Sequence, residues 1–187
     1  MTTLESLREA LPGYAGDLQL NLGTVLTAAG APGLNERQIW AVALSAACAS
    51  RNAAFTRDFQ TLAARHLDAA HVSAAHAAAA VMAMNNVYYC FLQLVEDEEY
   101  AKLPARLRMS VIGSPGIARA DFELLALTVS AINGCGSCVA SHERQLRQHG
   151  LTREAVQSAV RIAATVHAVA RVLESTAGER LGRAVAA

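Results

Sequence analysis

The chain has 187 residues, enough for one domain or at most two small ones. Its 16 basic and 16 acidic side chains cancel, which excludes the electrostatic footprint of a nucleic-acid-binding surface. Hydrophobic residues make up 53% but aromatics only 5%, so the core must be built from Ala, Leu and Val, as in close-packed helices.

Taken in order, Thr2 or Thr3 can cap a short helix that ends at Pro12-Gly13. The opening residues lack the basic and apolar regions of a signal peptide. Asp17 opens a second helix to about Gly30, with Leu18, Leu22, Val25 and Leu26 as its apolar stripe. Ala31-Pro32-Gly33 is a turn. Asn35 and Gln38 have capping-box spacing and begin a helix through Trp40 and Leu44 to about Cys48. A further helix runs from about Ala53 to His66, and Asp68 starts a long alanine-rich one reaching about Val95. Its most apolar run, Ala74 to Met84, contains His76 and is too short to cross a bilayer. Asn85-Asn86-Val-Tyr-Tyr89 is a polar break in this greasy helix, suited to bending it or to hydrogen bonding across a subunit contact.

Glu96 to Glu99 form an acidic surface patch, and Pro104 to Gly116 reads as a loop with room for one helical turn at Ala105–Met109. Asp121 then begins a helix to Ile132. Asn133-Gly134 is turn chemistry. The next helix, from Cys135, stops at Gly150 with cationic residues in its last turns. Thr152 caps the last long helix, which continues to Leu173. From Ser175 to Ala187 the tail is expected to be weakly helical or frayed. The expected fold is all-α: a single helical domain spanning residues 1–187. An internal repeat is expected within it, since Trp40 aligns with Glu123, and His66 with His149, at one offset of 83 residues. One copy covers about 35–95 and the other about 118–174. Asn52, Phe55 and Phe59 of the first fall where Cys135, Cys138 and His142 fall in the second, so the first reads as packing.

The chemistry concentrates in Cys135-Gly-Ser-Cys138-Val-Ala-Ser-His142. The two cysteines and the histidine are spaced i, i+3, i+7 and share one helical stripe. Cys135 sits in the first turn, where unpaired N–H groups and the helix dipole favour thiolate. His142 lies one turn below Cys138, within reach of proton exchange. Neighbours on a regular helix are about 5–6 Å apart, whereas a disulfide needs Cβ atoms about 3.5–4.5 Å apart. A bridge therefore requires a yielding backbone, which Gly134 and Gly136 supply. Such a bridge is strained and easily reduced, which suits a catalytic disulfide. Inert core cysteines rarely come with a glycine-rich helix start and a histidine on the same stripe. Structural zinc would need a fourth ligand and a second Cys/His pair; none is visible, so no metal is expected.

Glu123 stands near the start of an otherwise apolar run, among Phe122, Leu124, Leu125 and Leu127. It is either a partly desolvated proton carrier or a first-turn carboxylate pointing to water, and spacing alone leaves both open. Cys48 and Cys90 read as buried and inert. His66, His71, His76 and His149 read as solvated, and His167 could line a pocket.

Glu123-x11-Cys135-x2-Cys138-x3-His142 resembles the signature of the alkyl hydroperoxide reductase D family, the lipoyl-dependent alkylhydroperoxidase branch of the carboxymuconolactone decarboxylase-like fold. Met84 to Tyr89, Leu107 to Met109, Gly113-x-Pro115-Gly116 and His142-Glu-x3-Leu146 extend the likeness over nearly the whole chain. The resemblance implies a helical homotrimer that reduces organic hydroperoxides. Within that family pattern Cys138 attacks the peroxide, Cys135 resolves it as a Cys135–Cys138 disulfide, and Glu123 and His142 complete a proton relay. No tightly bound cofactor is implied. The reductant would be a dihydrolipoyl group on a 2-oxoacid dehydrogenase E2 subunit, recycled by dihydrolipoamide dehydrogenase, and a typical 2-Cys peroxiredoxin would receive electrons. On residues alone, the dipole favours Cys135 as the thiolate and the His142 contact favours Cys138. Two departures stand out: Ser137 where the family commonly has His, and Cys90 where it often has Arg.

A soluble cytoplasmic location is expected, where a C-x-x-C is more often redox-active than structural. A non-redox, decarboxylase-like enzyme on the same scaffold would not need the intact cysteine pair. A redox-regulated binding module would change its oligomeric state when the bridge forms.

Overall fold

The computed structural model describes the backbone of residues 2–185 and side chains as far as residue 176. Every regular element among the described residues is helical. These are α1 (Leu4–Glu9), a 3₁₀ turn at Gly13–Ala15, α2 (Gly16–Val25), α3 (Glu36–Ala49), α4 (Ala53–Ala63) and α5 (Ala69–Leu94), then α6 (Glu98–Lys102), α7 (Ser110–Gly113), α8 (Arg119–Ile132), α9 (Gly136–Gln148) and α10 (Arg153–Val185). None of these helices is long and apolar enough to cross a membrane.

The starts follow local chemistry. Thr3 accepts the Ser6 N–H at the head of α1. Asn35 and Gln38 exchange hydrogen bonds of 2.9 and 3.0 Å in a reciprocal box that opens α3. Asp68 accepts the His71 N–H at 2.9 Å to open α5, and Thr152 does the same for Ala155 at 3.0 Å to open α10.

Two helices form the centre. Ile39 to Ala47 of α3 and Phe122 to Ser130 of α8 are buried at every position, because most of these residues are apolar and the polar ones, Ser45, Glu123, Thr128 and Ser130, find partners inside the protein. They pack against each other. The long helices flank them: α5 lies on α3, α8 and α9, while α10 lies on α3, α8 and α2. Each fully buried Leu or Phe contributes about 1.5–3 kcal/mol, so Phe122, Leu124, Leu125 and Leu127 fix α8 firmly. Close approach requires glycine at two positions outside this centre, and a Cβ at Gly30 would run into the Thr24 carbonyl. Gly33 has φ +81, and a Cβ there would meet the Ala155 Cβ at 2.9 Å.

Several boundaries differ from expectation, each for a local reason. Helix α2 ends at Val25 rather than Gly30, because the Thr27 hydroxyl binds the Thr24 carbonyl and accepts the Gly30 N–H, replacing helical bonds. Helix α4 ends at Ala63 rather than His66, whose ring leaves the helix to stack on Trp40 at 4.2 Å and bond Glu36. The acidic patch contains a short helix, α6, capped by Asp97. The turn expected at Ala105–Met109 occurs instead at Ser110–Gly113, because Arg106 takes a left-handed φ of 53 that a right-handed helix cannot hold. Helix α8 begins two residues before Asp121, and α9 begins at Gly136 with Cys135 as its cap. The tail from Ser175 is helical backbone to Val185, since a propagating helix gains one bond for each residue it fixes; Ala186 and Ala187 lie outside the described residues.

Candidate active site

The site begins with how α8 stops. Gly134 takes φ +72, the Gly134 N–H binds the Ala131 carbonyl and the Cys135 N–H binds the Ser130 carbonyl at 3.1 Å. This double bond pattern closes a helix on a left-handed glycine, and it delivers Cys135 directly to the head of α9. A side chain at position 134 would strain the turn that places the sulfur.

Cys135 and Cys138 are joined as a disulfide, with Cα atoms 5.3 Å apart. Cys135 is the cap residue rather than a first-turn residue, and Cys138 occupies the first turn. The unpaired N–H groups and the positive end of the α9 dipole therefore act on both sulfurs, not on Cys135 alone. The neighbouring Ser137 N–H donates to Gln93 Oε1 of α5 at 3.3 Å, and the Ser137 hydroxyl lies 3.6 Å from the Cys135 sulfur. Access separates the two cysteines: Cys135 is 0% exposed, whereas Cys138 is 7% exposed and borders a cavity.

His142 stands one turn along α9 from Cys138, and α8 carries Glu123 beneath it. His142 Nδ1–H donates to Glu123 Oε2 at 2.7 Å. A carboxylate has no proton to give, so this contact fixes the ring tautomer and leaves Nε2 as the acceptor. Glu123 is 4% exposed. A buried carboxylate without a partner is costly, and the imidazole offsets that cost. Glu123 thus points inward to His142 and not to water, an orientation that helical spacing alone left open.

The cavity is about 350 Å³. Ser137, Cys138, Ser141 and His142 of α9 form one wall. Met82, Asn85 and Tyr89 of α5 form another, and Met109 and Ile112 at α7 close it. Met82, Asn85 and Tyr89 repeat the i, i+3, i+7 spacing of Cys135, Cys138 and His142, and of that second stripe Cys138 and His142 face the same space. Sequence reasoning noticed the Asn85-Asn86 pair but did not place it at the site. The α5 stripe carried that signal, but only the packing of α5 on α9 gives it meaning. Asn86 bonds within the chain, to Ser130 and Asn133.

The other candidates lie apart from this cavity. Cys48 is half-buried beside His76 Nδ1 at 3.5 Å, and burial pushes its thiol up to about 11. Cys90 is half-buried. His71 is buried against Asp68 and His66 is half-buried on Trp40, because each is held by a helix-capping or stacking partner; His76 and His149 are exposed. His167 borders a separate cavity of about 280 Å³ with Ser50, Arg51, Asn133 and Arg171.

Taken together, these groups form a helical thiol–disulfide site: a joinable cysteine pair at a helix head, a buried carboxylate–imidazole pair, and an apolar-walled cavity that exposes one sulfur. Residues 98–177 match the Carboxymuconolactone decarboxylase family. The chain is 50% identical over 175 residues to an alkyl hydroperoxide reductase AhpD of Rhodospirillum centenum, covering 94% of this chain and 92% of that one. It is 49% identical over 173 residues to an alkyl hydroperoxide reductase AhpD of Frankia alni, covering 92% of each. A third, from Gluconacetobacter diazotrophicus, is 50% identical over 175 residues, covering 94% of each chain. The chain belongs to the alkyl hydroperoxide reductase AhpD family.

Proposed function

We propose that the protein reduces organic hydroperoxides with the Cys135–Cys138 pair. The supporting observation is that Cys138 and His142 border one apolar-walled cavity while buried Glu123 holds the imidazole. In the reduced protein His142 takes the Cys138 proton, leaving a thiolate. The thiolate attacks the distal oxygen of the peroxide and the O–O bond breaks. The leaving alkoxide takes the proton and departs as alcohol, and Cys138 becomes a sulfenic acid. The Cys135 thiol then displaces water from that sulfenic acid, forming the disulfide. Glu123 relays the proton that Cys135 loses, through His142 or water.

A dihydrolipoyl dithiol reopens the bridge by two exchange steps and leaves as the cyclic disulfide. Its source in this reading is the lipoylated E2 subunit of a 2-oxoacid dehydrogenase, recharged by dihydrolipoamide dehydrogenase. A typical 2-Cys peroxiredoxin receives electrons from the same pair. The working form is a cytoplasmic homotrimer with no tightly bound cofactor. Ser137, on the exposed lip of the site, tunes the peroxidase rate or partner docking where relatives carry His.

The test is Cys138→Ser, assayed for organic hydroperoxide reduction with reduced lipoamide. Loss of turnover is expected. Retained turnover would overturn the assignment, and activity in protein whose thiols are fully alkylated would point to a non-redox enzyme on this scaffold.

A further inference from the structure

The groups assigned so far attack the peroxide and move protons, but none of them holds the peroxide itself. A hydroperoxide carries one O–H donor and two oxygen acceptors. The cavity wall opposite the cysteines contains a side chain with matching chemistry. Asn85 is 4% exposed, borders the cavity, and its amide oxygen is buried without a hydrogen-bond partner among the described residues.

Its neighbour shows what a structural asparagine looks like here. Asn86 is equally buried, yet it donates to Ser130 Oγ at 2.9 Å and accepts from Asn133 Nδ2 at 2.9 Å. Those bonds tie α5 to the end of α8 just before the reactive turn. The fold therefore uses Asn86 and leaves Asn85 unused. A buried polar group without a partner lowers stability, and such groups persist where function requires them. Ser137, Ser141 and Tyr89 lie on the exposed rim of the cavity, and of the two His142 nitrogens Nδ1 is committed to Glu123 while Nε2 takes the Cys138 proton in the reading above.

We propose that Asn85 positions the peroxide group of the substrate. This rests on the peroxidase reading above. The side-chain amide, in either orientation about its last bond, offers one donor and one acceptor. Its oxygen takes the hydroperoxide O–H, and its N–H faces the oxygen bonded to carbon. This holds the distal oxygen toward Cys138 between the two walls, while Met82, Met109 and Ile112 surround the organic part. When the thiolate attacks, the O–O electron pair moves to the departing oxygen. The Asn85 N–H then strengthens its bond to the growing negative charge, so the contact favours the transition state over the bound substrate.

The test uses reduced full-length protein and Asn85→Leu, which keeps the side chain's branching at Cγ and removes both polar atoms. Three quantities are read: the rate at which cumene hydroperoxide oxidises Cys138, the rate at which iodoacetamide alkylates Cys138, and the thermal midpoint. The peroxide rate should fall about 100-fold. Alkylation, which needs the thiolate but no peroxide binding, should be unchanged, and the midpoint should hold or rise. An unchanged peroxide rate would overturn the proposal, as would peroxide and alkylation rates that fall together. Asn85→Ala is read the same way if Asn85→Leu does not fold, and failure of both to fold would show a structural demand and overturn it. A wild-type protein that alkylates normally but ignores cumene hydroperoxide would instead remove the peroxidase reading on which this one rests.

Discussion

The trio α3–α4–α5 and the trio α8–α9–α10 bring matching positions together and fill them with opposite chemistry. Trp40 and Phe59 stand 83 residues before Glu123 and His142. In the first trio the two rings meet with centroids 6.0 Å apart, and Phe55 packs on Phe59 at 5.4 Å. In the second, a carboxylate and an imidazole meet at 2.7 Å. Asn52 occupies the place of Cys135 and caps α4 by accepting the Phe55 N–H at 3.0 Å. Arg51 occupies the place of Gly134 and shares its left-handed backbone, with φ 60 against 72. We read the trios as a packing copy and a reactive copy of one helical unit. The lesson is that the backbone slot is indifferent to its contents: hydrocarbon there holds the molecule together, and an acid–base pair with two sulfurs makes a site. The copies also depend on each other. The reactive slot in α8 and α9 takes its far wall from α5, the long helix of the packing trio.

The largest expected effect is on the packing side. Phe59→Ala should cost about 3–5 kcal/mol of stability, read by urea unfolding, because it empties a fully buried slot. The peroxidase rate of the molecules that remain folded should change little. The matching substitution on the reactive side is Glu123→Gln. It keeps an acceptor for the His142 N–H and removes the charge, so the peroxidase rate should fall about 100-fold, with stability nearly unchanged. The contrast between the trios breaks if Phe59→Ala slows the chemistry directly or if Glu123→Gln acts mainly by unfolding the protein.

Much of this arrangement is legible in the chain, and the rest fails for identifiable reasons. Helix starts are legible at Thr3, Asn35, Asp68 and Thr152 because a capping side chain acts within three residues of itself. Helix ends are less so. His66 leaves α4 for partners on α3 that are distant in sequence, and a left-handed backbone at Arg106, which its residue type does not announce, displaces the turn that becomes α7. At the site, the cysteine–histidine stripe follows from helical periodicity. The burial of Glu123 does not, since its partner lies beyond the Gly134 turn on another helix. Asn85 is harder still. The sequence marks it as polar among apolar residues, but whether a polar residue has partners depends on what packs over it, and its neighbour Asn86 found them.

The smallest effect concerns α10, the long helix of the reactive trio, and it separates that helix from α5. One residue is added at the Gly150 turn, so the offset beyond it is 84, and His167 of α10 has its counterpart in Ala83 of α5, which cannot titrate. Burial, then the nearby charges of Arg171 and Arg51, hold the His167 imidazole below its ordinary pKa of 6.5. Its Nδ1 lies 3.2 Å from Ser50 Oγ, across the cleft at the end of α3. A group that binds its proton less readily when folded favours unfolding once that proton is available. The stability tied to neutral His167 is therefore fully present above pH 6.5 and is lost as the pH falls from there through the folded pKa. His167→Gln keeps a hydrogen-bonding group beside Ser50 and cannot gain charge. Thermal midpoints measured from pH 7.5 down to about 5 should fall less steeply in this variant than in the wild type, with the two curves closest near pH 7.5. Parallel curves over that range would mean that the reactive trio carries no more acid sensitivity at this position than the packing trio does.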